Sequence, residues 1–310
     1  MDTIAVVLEA PKKLHLRPLA LDTPGSGDAV VDMIWSGIST GTERLLWAGN
    51  MPPFPGLGYP LVPGYESVGR VAVAAGDLRR GDLVFVPGAK CFGPVRGLFG
   101  GAASCVVAPA ARLLPIPEAL GERGALLALA ATAHHALVGG AAPGLIVGHG
   151  ALGRLVARLS VALGNPPPVV WERDDTRRAH AEGYIVIAPE DDDSSRVYPS
   201  ILDVSGDAGL LDTLIARLAP GGEIVLAGFY AGRLGFAFPP AFMREARLRV
   251  AAQWQPADLV AVRDLAASGR LSLDGLISHR AAANEAPAAY DAAFNDPHCI
   301  KMILDWRDAA

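Results

Sequence analysis

Residues 145–159 read LIVGHGALGRLVARL: an apolar run, a turn built on glycines, and a second apolar run spaced as one face of a helix. Gly148, Gly150 and Gly153 stand in the pattern GxGxxG where a predicted strand gives way to a predicted helix, a context that separates the motif from a chance cluster of glycines. Each glycine has a physical task. Gly148 permits the tight turn, Gly150 lets a pyrophosphate approach the backbone, and Gly153 lets helix and strand pack closely. With His149, Ala151 and Leu152 between them, they set the unpaired N–H groups of a helix start against the phosphates of a dinucleotide. The next apolar stretch, PPPVVWERDD, ends in Glu172, about 20 residues on, where an acid accepts hydrogen bonds from the adenosine ribose. That carboxylate points to NAD. Arg173, Arg177 and Arg178 stand beside it and could instead hold a 2′-phosphate, which keeps NADP open.

Outward from this loop the chain changes character. Up to Pro117 the apolar runs are short and β-branched, as in TIAVVL, DAVVDMIW, SVGRVAVAA and DLVFVP, with Gly and Pro between them, which predicts a β-rich module. EALGERGALLALAATAHHALVGGA is spaced as a helix; then strands and helices alternate through VVWE, RRAHAEG, YIVIAP, SILDVSG and LLDTLIARLAPGGEIVLAGF. Alternation of that kind predicts a parallel sheet covered by crossover helices, an α/β doubly wound (Rossmann) domain over residues 118–271. The last stretch, 272–310, is expected to return to the first module, 1–117, and complete it.

Composition removes several classes of function. The chain has 310 residues, a net charge of −5 and 51% hydrophobic residues, enough for a large core and one or two domains. Basic residues are dispersed with no aromatic-interleaved stripe, so nucleic acid is excluded as a partner. No apolar run reaches the roughly 18 residues of a membrane span, and the start MDTIAVVLEAPKKLHL has no secretory pattern. A cytoplasmic location is expected, at most peripheral to a membrane. No basic amphipathic helix or lipidation signal marks an anchor. Cys91, Cys105 and Cys299 are too few and too scattered for a disulfide framework or a metal clip.

Taken together, SGISTGTE (36–43), PGYESVGRVAVAAGDLRRGDLVFVP (63–87), ALLALAATAHHALVGGAAPGLIVGHGALG (125–153) and PGGEIVLAGF (220–229) resemble the medium-chain dehydrogenase/reductase superfamily over nearly the full length. The resemblance implies a GroES-like catalytic domain joined to a Rossmann domain with the active site in the cleft between them, and a homodimer formed through the last Rossmann strands around residues 236–255. Zinc-dependent members carry ligands in segments that read like CGICGTD and GHE, and a third on the helix before the Rossmann domain. Here those positions resemble Ser39, Tyr65 and a residue near Ala128, none of them a thiolate or an imidazole. Zinc takes three or four Cys, His or carboxylate donors, and Glu66 alone does not make a set. KCFGPVRGLFGGAASC (90–105) offers only two separated cysteines to a structural zinc lobe. The resemblance therefore implies hydride transfer without zinc.

Thr42 then matches the hydroxyl residue that carries the alcohol proton, and Thr132 one that packs on the nicotinamide. Tyr65 stands where an imidazole would, and acts as a base only if a positive charge lowers its phenol. Glu43 could orient Tyr65 or receive the proton, and Glu66 could support the same loop. His134 and His135 leave their helix about 100° apart, so at most one is expected to face a site, and His134 is the candidate. The opening residues, WSGISTGTERLLWAGNMPPFPGLGYPLVPGYESVGRV and VVWERDDTRRAHAEGY narrow the resemblance to dehydrogenases that oxidise a hydroxyethyl side chain of a magnesium tetrapyrrole to acetyl with NAD. A chlorin or bacteriochlorin ring wants an apolar wall; WAGNMPPFPGLGYP (47–60) is the candidate, with Trp47, Met51 and Phe54, alongside Ser39, as substrate contacts, unless the loop packs on its own domain. Two other readings stay open here: a zinc-free NADPH-dependent quinone or enoyl reductase, kept by the arginines after Glu172, and a dinucleotide-binding sensor without turnover, kept by the missing ligands.

Overall fold

A computed structural model describes residues 1–230 and 232–309. The chain divides into two units, Met1–Ala128 with Leu276–Ala310, and Leu129–Gly275. The first division falls later than the change in residue pattern at 117 because Glu118–Leu126 stays with the first unit's strands. Arg70 forks onto Glu118 at 2.7 and 2.8 Å, and Gly124 packs on Ile116 and Val68. The return comes later than 272 because Arg158, buried in the second unit, donates to the carbonyls of Ser272 and Asp274.

In the first unit a long strand, Asp28–Ile38, is the axis of a seven-stranded sheet. It pairs antiparallel with Ser67–Val73, with Cys105–Pro109 and with Met302–Asp305 from the far end of the chain. Two of these registers build the site. Ser36 opposite Ser67 brings the turn containing Tyr65 and Glu66 beside Gly37, and Met302 opposite Ile38 brings Lys301 to the same place. Gly37 is needed there: a Cβ on it would lie 2.6 Å from the Glu66 carboxylate. Past Ile38 the chain turns through Ser39–Gly41 into the short helix Thr42–Ala48. A smaller sheet, ordered Lys13–Ala20, Asp2–Ala10, Leu61–Val62, Arg96–Gly97, shares one apolar core with the large one. The helix Ala286–Asn295 buries Ala286, Ala289, Tyr290, Ala293 and Phe294, the i, i+3, i+4 spacing of a core-facing stripe.

The second unit is a six-stranded parallel sheet. Its order is Ile185–Ile187, Val169–Trp171, Leu145–Val147, Tyr198–Asp203, Leu218–Leu226, Arg247–Val250, the doubly wound order in which the first strand sits at the centre. All three residues of Leu145–Val147 and of Val169–Trp171 are buried, as a sheet covered on both faces requires. One expected helix does not form. RRAHAEG carries only the end of a single 3-10 turn, Asp175–Arg177, because its residues are polar without an apolar stripe and the backbone turns left-handed at His180 and Gly183. EALGERGAL is likewise 3-10 with a break at Gly121, before the helix Leu127–Val138. Among the described residues no helix is long and apolar enough to cross a membrane.

Candidate active site

The glycine loop leaves the central strand Leu145–Val147 between Val169–Trp171 on one side and Tyr198–Asp203 on the other, the switch point of the sheet. Gly148 has φ +101°, and a Cβ on Gly153 would stand 1.9 Å from the Gly148 carbonyl oxygen, so both positions admit only glycine. A Cβ on Gly150 would meet no atom within 4 Å. The helix Ala151–Ala162 begins there with no side-chain cap, leaving the N–H groups of its first turn, Ala151 and Leu152 among them, to a ligand. This loop fits a pyrophosphate.

Glu172 accepts from the His149 N–H at 2.9 Å and the Asp174 N–H at 3.0 Å, one on each carboxylate oxygen, and each oxygen keeps a lone pair for a ribose hydroxyl. The arginines near it are engaged elsewhere: Arg173 reaches Asp207 at 3.5 Å, and Arg178 donates to the carbonyls of Glu172 and Arg173. The His149 imidazole is inside the protein. Burial pushes it down to about 4, so it is neutral; Nδ1 donates to the Arg177 carbonyl at 2.6 Å and Nε2 accepts from the Tyr184 hydroxyl at 2.8 Å. Its side chain holds the loop, and only its backbone lies along the loop.

In the first unit the structure brings Ser39, Thr42 and Tyr65 together. The Ser39 and Tyr65 hydroxyls are 2.7 Å apart, and Tyr65 lies 3.5 Å from the Thr42 hydroxyl. Burial, then the nearby Glu66 carboxylate, push the Tyr65 phenol well above its ordinary value. Tyr65 is therefore a hydrogen-bond donor at neutral pH, the opposite of the lowered phenol a base requires. Glu43 does not orient it. Fully buried, Glu43 accepts from the Ser39 N–H at 3.2 Å and from the Tyr290 hydroxyl at 2.7 Å, and burial, partly offset by the Tyr290 bond, raises it to about 7. Glu66, also fully buried, pairs with Lys301 at 2.5 Å.

Tyr290 and Lys301 belong to this cluster and sequence reasoning missed both. The available signal was a lone lysine inside the apolar run CIKMIL, which a solvated position would not explain. Ala128 is buried in its helix, and among the described residues no three His, Cys, Asp or Glu side chains converge as metal ligands. At two of the positions that resemble zinc-ligand positions, the hydroxyls of Ser39 and Tyr65 meet each other. The residues present do not fit a zinc ion.

The remaining candidates are placed differently from expectation. Both His134 and His135 turn onto one carboxylate, with Nδ1 atoms 2.7 and 2.9 Å from the two oxygens of Asp258. Burial would raise Asp258, but hydrogen bonds from the Gln255 N–H and the two histidines hold it below its ordinary value. An ionised carboxylate only accepts, so each Nδ1 carries a proton. The result fastens the helix Leu127–Val138 to the start of Pro256–Ala267, and a catalytic duty for His134 gains no support from it. Thr132 lies half-buried on the first of these helices. Met51 is buried in the first unit's core, and Trp47 packs on it with its ring 5.5 Å from that of Phe294. Only Phe54 of that trio is exposed, because the loop spends its other apolar groups on its own unit.

Comparison with known proteins adds three findings. Residues 25–118 match the alcohol dehydrogenase GroES-like domain family. The sequence is 59% identical to the 2-desacetyl-2-hydroxyethyl bacteriochlorophyllide A dehydrogenases of Rhodobacter capsulatus and of Cereibacter sphaeroides, with 100% of each chain covered in both cases. An alcohol dehydrogenase from Escherichia coli solved with NADH superposes with a TM-score of 0.85 at 20% identity, covering 98% of this chain and 99% of that one. At that identity the superposition establishes the fold.

The loop geometry separates two glycines by their effects. Gly150→Ala should leave the thermal midpoint of the free protein unchanged and weaken NADH binding by about tenfold or more, because the added methyl meets only the approaching pyrophosphate. Gly153→Ala should lower the midpoint by several degrees with or without cofactor, as about 2 kcal/mol or more of overpacking strain would. Differential scanning fluorimetry and NADH fluorescence titration check both; equal behaviour of the two variants would contradict the assignment.

Proposed function

The chain belongs to the family of 2-desacetyl-2-hydroxyethyl bacteriochlorophyllide A dehydrogenases, within the medium-chain dehydrogenase/reductase superfamily, and we propose that it oxidises the hydroxyethyl side chain of a bacteriochlorophyllide to acetyl, using NAD. The end-to-end likeness to two dehydrogenases of that name carries the reading. It favours an alcohol dehydrogenase over a quinone or enoyl reductase and over a sensor without turnover.

NAD, when bound, supplies the carbon that accepts hydride. Gly148, Gly150 and Gly153 with the helix start at Ala151 would hold its pyrophosphate, and Glu172 its adenosine ribose. Glu172 supports NAD over NADP: a 2′-phosphate would approach an ionised carboxylate, and Arg173 and Arg178 are engaged with other partners. Tyr65, kept protonated, donates to the carbinol oxygen and orients it. Ser39 and Thr42, which both donate and accept, are the first groups to meet its proton. Glu43 can take that proton at neutral pH because burial has lifted it into that range. Phe54 is the exposed apolar contact left for the edge of the macrocycle.

We read the reaction as zinc-independent. The carbinol carbon is conjugated to the macrocycle, which spreads the positive charge that develops as hydride leaves, so less stabilisation is required at the oxygen than for an aliphatic alcohol.

Purified protein mixed with NAD and hydroxyethyl bacteriochlorophyllide should give the absorption red-shift of an acetyl group in conjugation, and a slower reaction with NADP. Thr42→Val should lower kcat by about 10²-fold, the usual worth of one proton-transfer group, with little change in NADH affinity. No red-shift, or a faster reaction with NADP, would contradict the assignment.

We also infer a homodimer. The strand Arg247–Val250 is an edge of the parallel sheet, and Phe236, Phe238, Phe242, Met243, Leu248 and Val250 are exposed on or beside it. So much uncovered apolar surface at an unpaired edge supports a second copy packed there. Light scattering should give the mass of two chains, and Phe242→Glu with Val250→Lys the mass of one; a monomeric wild type would contradict the inference.

A further inference from the structure

Lys301 lies outside every sequence motif and is only 1% exposed. It enters the first unit just before the strand Met302–Asp305, where its Nζ donates to Glu66 at 2.5 Å and to the Ile38 carbonyl at 3.2 Å. The other Glu66 oxygen is buried and meets no donor. Glu43 adds a second carboxylate from the helix Thr42–Ala48. The groups that face it are Tyr290 from the helix Ala286–Asn295, Glu66 and Tyr65 from the turn before Ser67–Val73, the Ser39 N–H, and Lys301.

The charge of this group is decided by its burial. Two ionised carboxylates against one ammonium leave a net charge of −1 where water cannot solvate it, and one added proton makes the set neutral. Burial, reinforced by the Glu66 carboxylate, raises Glu43, so Glu43 is the member that takes the added proton. Ser39 fixes this set beside the reacting end: its hydroxyl meets Tyr65, and its backbone N–H donates to Glu43.

We propose that Lys301 is a positioning residue for the dehydrogenation: by pinning Glu66 and supplying the one positive charge beside Glu43, it makes Glu43 a store for the single proton that the carbinol releases. The inference rests on the dehydrogenase reading. In the step, the carbinol C–H bond breaks and its electron pair leaves with the hydrogen to the nicotinamide. The O–H bond breaks, its electrons form the C=O bond, and the proton goes to the Glu43 carboxylate, which later returns it to solvent. Glu43, raised to about 7, holds the proton in the range where that exchange is reversible.

The test uses the full chain and follows kcat/KM against pH, together with the infrared carbonyl band of a protonated buried carboxyl in the protein without substrate. Wild type should gain rate through an inflection near neutrality, since the store must be empty to accept. Lys301→Met should move that inflection and the infrared titration alkaline by about one pH unit or more, with roughly a tenfold loss of rate at neutral pH that recovers at higher pH. Lys301→Arg should keep the wild-type profile. Glu66→Gln should move both acidic, because the ammonium then faces Glu43 alone, and this variant decides the matter if Lys301→Met does not fold. Inflections that stay in place while rates merely scale would overturn the Lys301 assignment and leave the dehydrogenase reading standing. A wild type that forms no acetyl product would overturn that reading, and the infrared titration would still decide for or against the store.

Discussion

The buried ion pair of Lys301 with Glu66 is the interaction around which the first unit is arranged. An unpaired ammonium or carboxylate in that position would cost several kcal/mol, so the strand register that brings the two together is enforced by both charges. Gly37 is a glycine because the carboxylate occupies the space a side chain would need. The last part of the chain, which carries Lys301 and Tyr290, belongs to the first unit. The hydroxyls of Ser39, Thr42 and Tyr65 are held at fixed places by the same arrangement, since Ser39 follows Ile38, whose carbonyl also takes a bond from Lys301.

This arrangement gives the site a distinct electrostatic character. A zinc ion stabilises the oxygen of an alcohol by direct coordination and lowers its pKa. In the proposed reaction protonated hydroxyls meet the oxygen instead, and the buried Glu43 carboxyl, beside the Glu66–Lys301 pair, takes up the proton. Such a site suits a carbinol whose own π-system shares the developing charge. The exposed ring of Phe54 and the otherwise inward-packed loop around it are consistent with a substrate that brings its own broad apolar surface.

Local patterns in the sequence revealed the second unit well. A strand, three spaced glycines, a helix and an acid are neighbours in the chain, and their physics is local: Gly148 and Gly153 are dictated by backbone geometry at their own turn. The segment after Glu172 misled because helical spacing was read into polar residues that use their side chains to fasten the loop. In the first unit the hydroxyl cluster was legible as a family pattern at Ser39, Thr42 and Tyr65. Its electrostatics were not, because the partners of Glu43 and Glu66 are separated from them by more than two hundred residues and are brought in by the packing of a helix and by sheet register. His134 and His135 show the same limit: their shared partner, Asp258, comes from a helix more than a hundred residues later.

The claim at the centre of this account is that hydroxyls backed by a buried one-proton carboxylate pair do the work that a metal does in zinc-dependent relatives. Its most direct test is the metal content of fully active enzyme, measured by elemental mass spectrometry before and after exhaustive chelation and set against turnover of hydroxyethyl bacteriochlorophyllide. Far less than one zinc per chain, and turnover that chelation leaves intact, are the expected results. Zinc bound at one per chain, with activity lost on its removal and regained on its return, would contradict it.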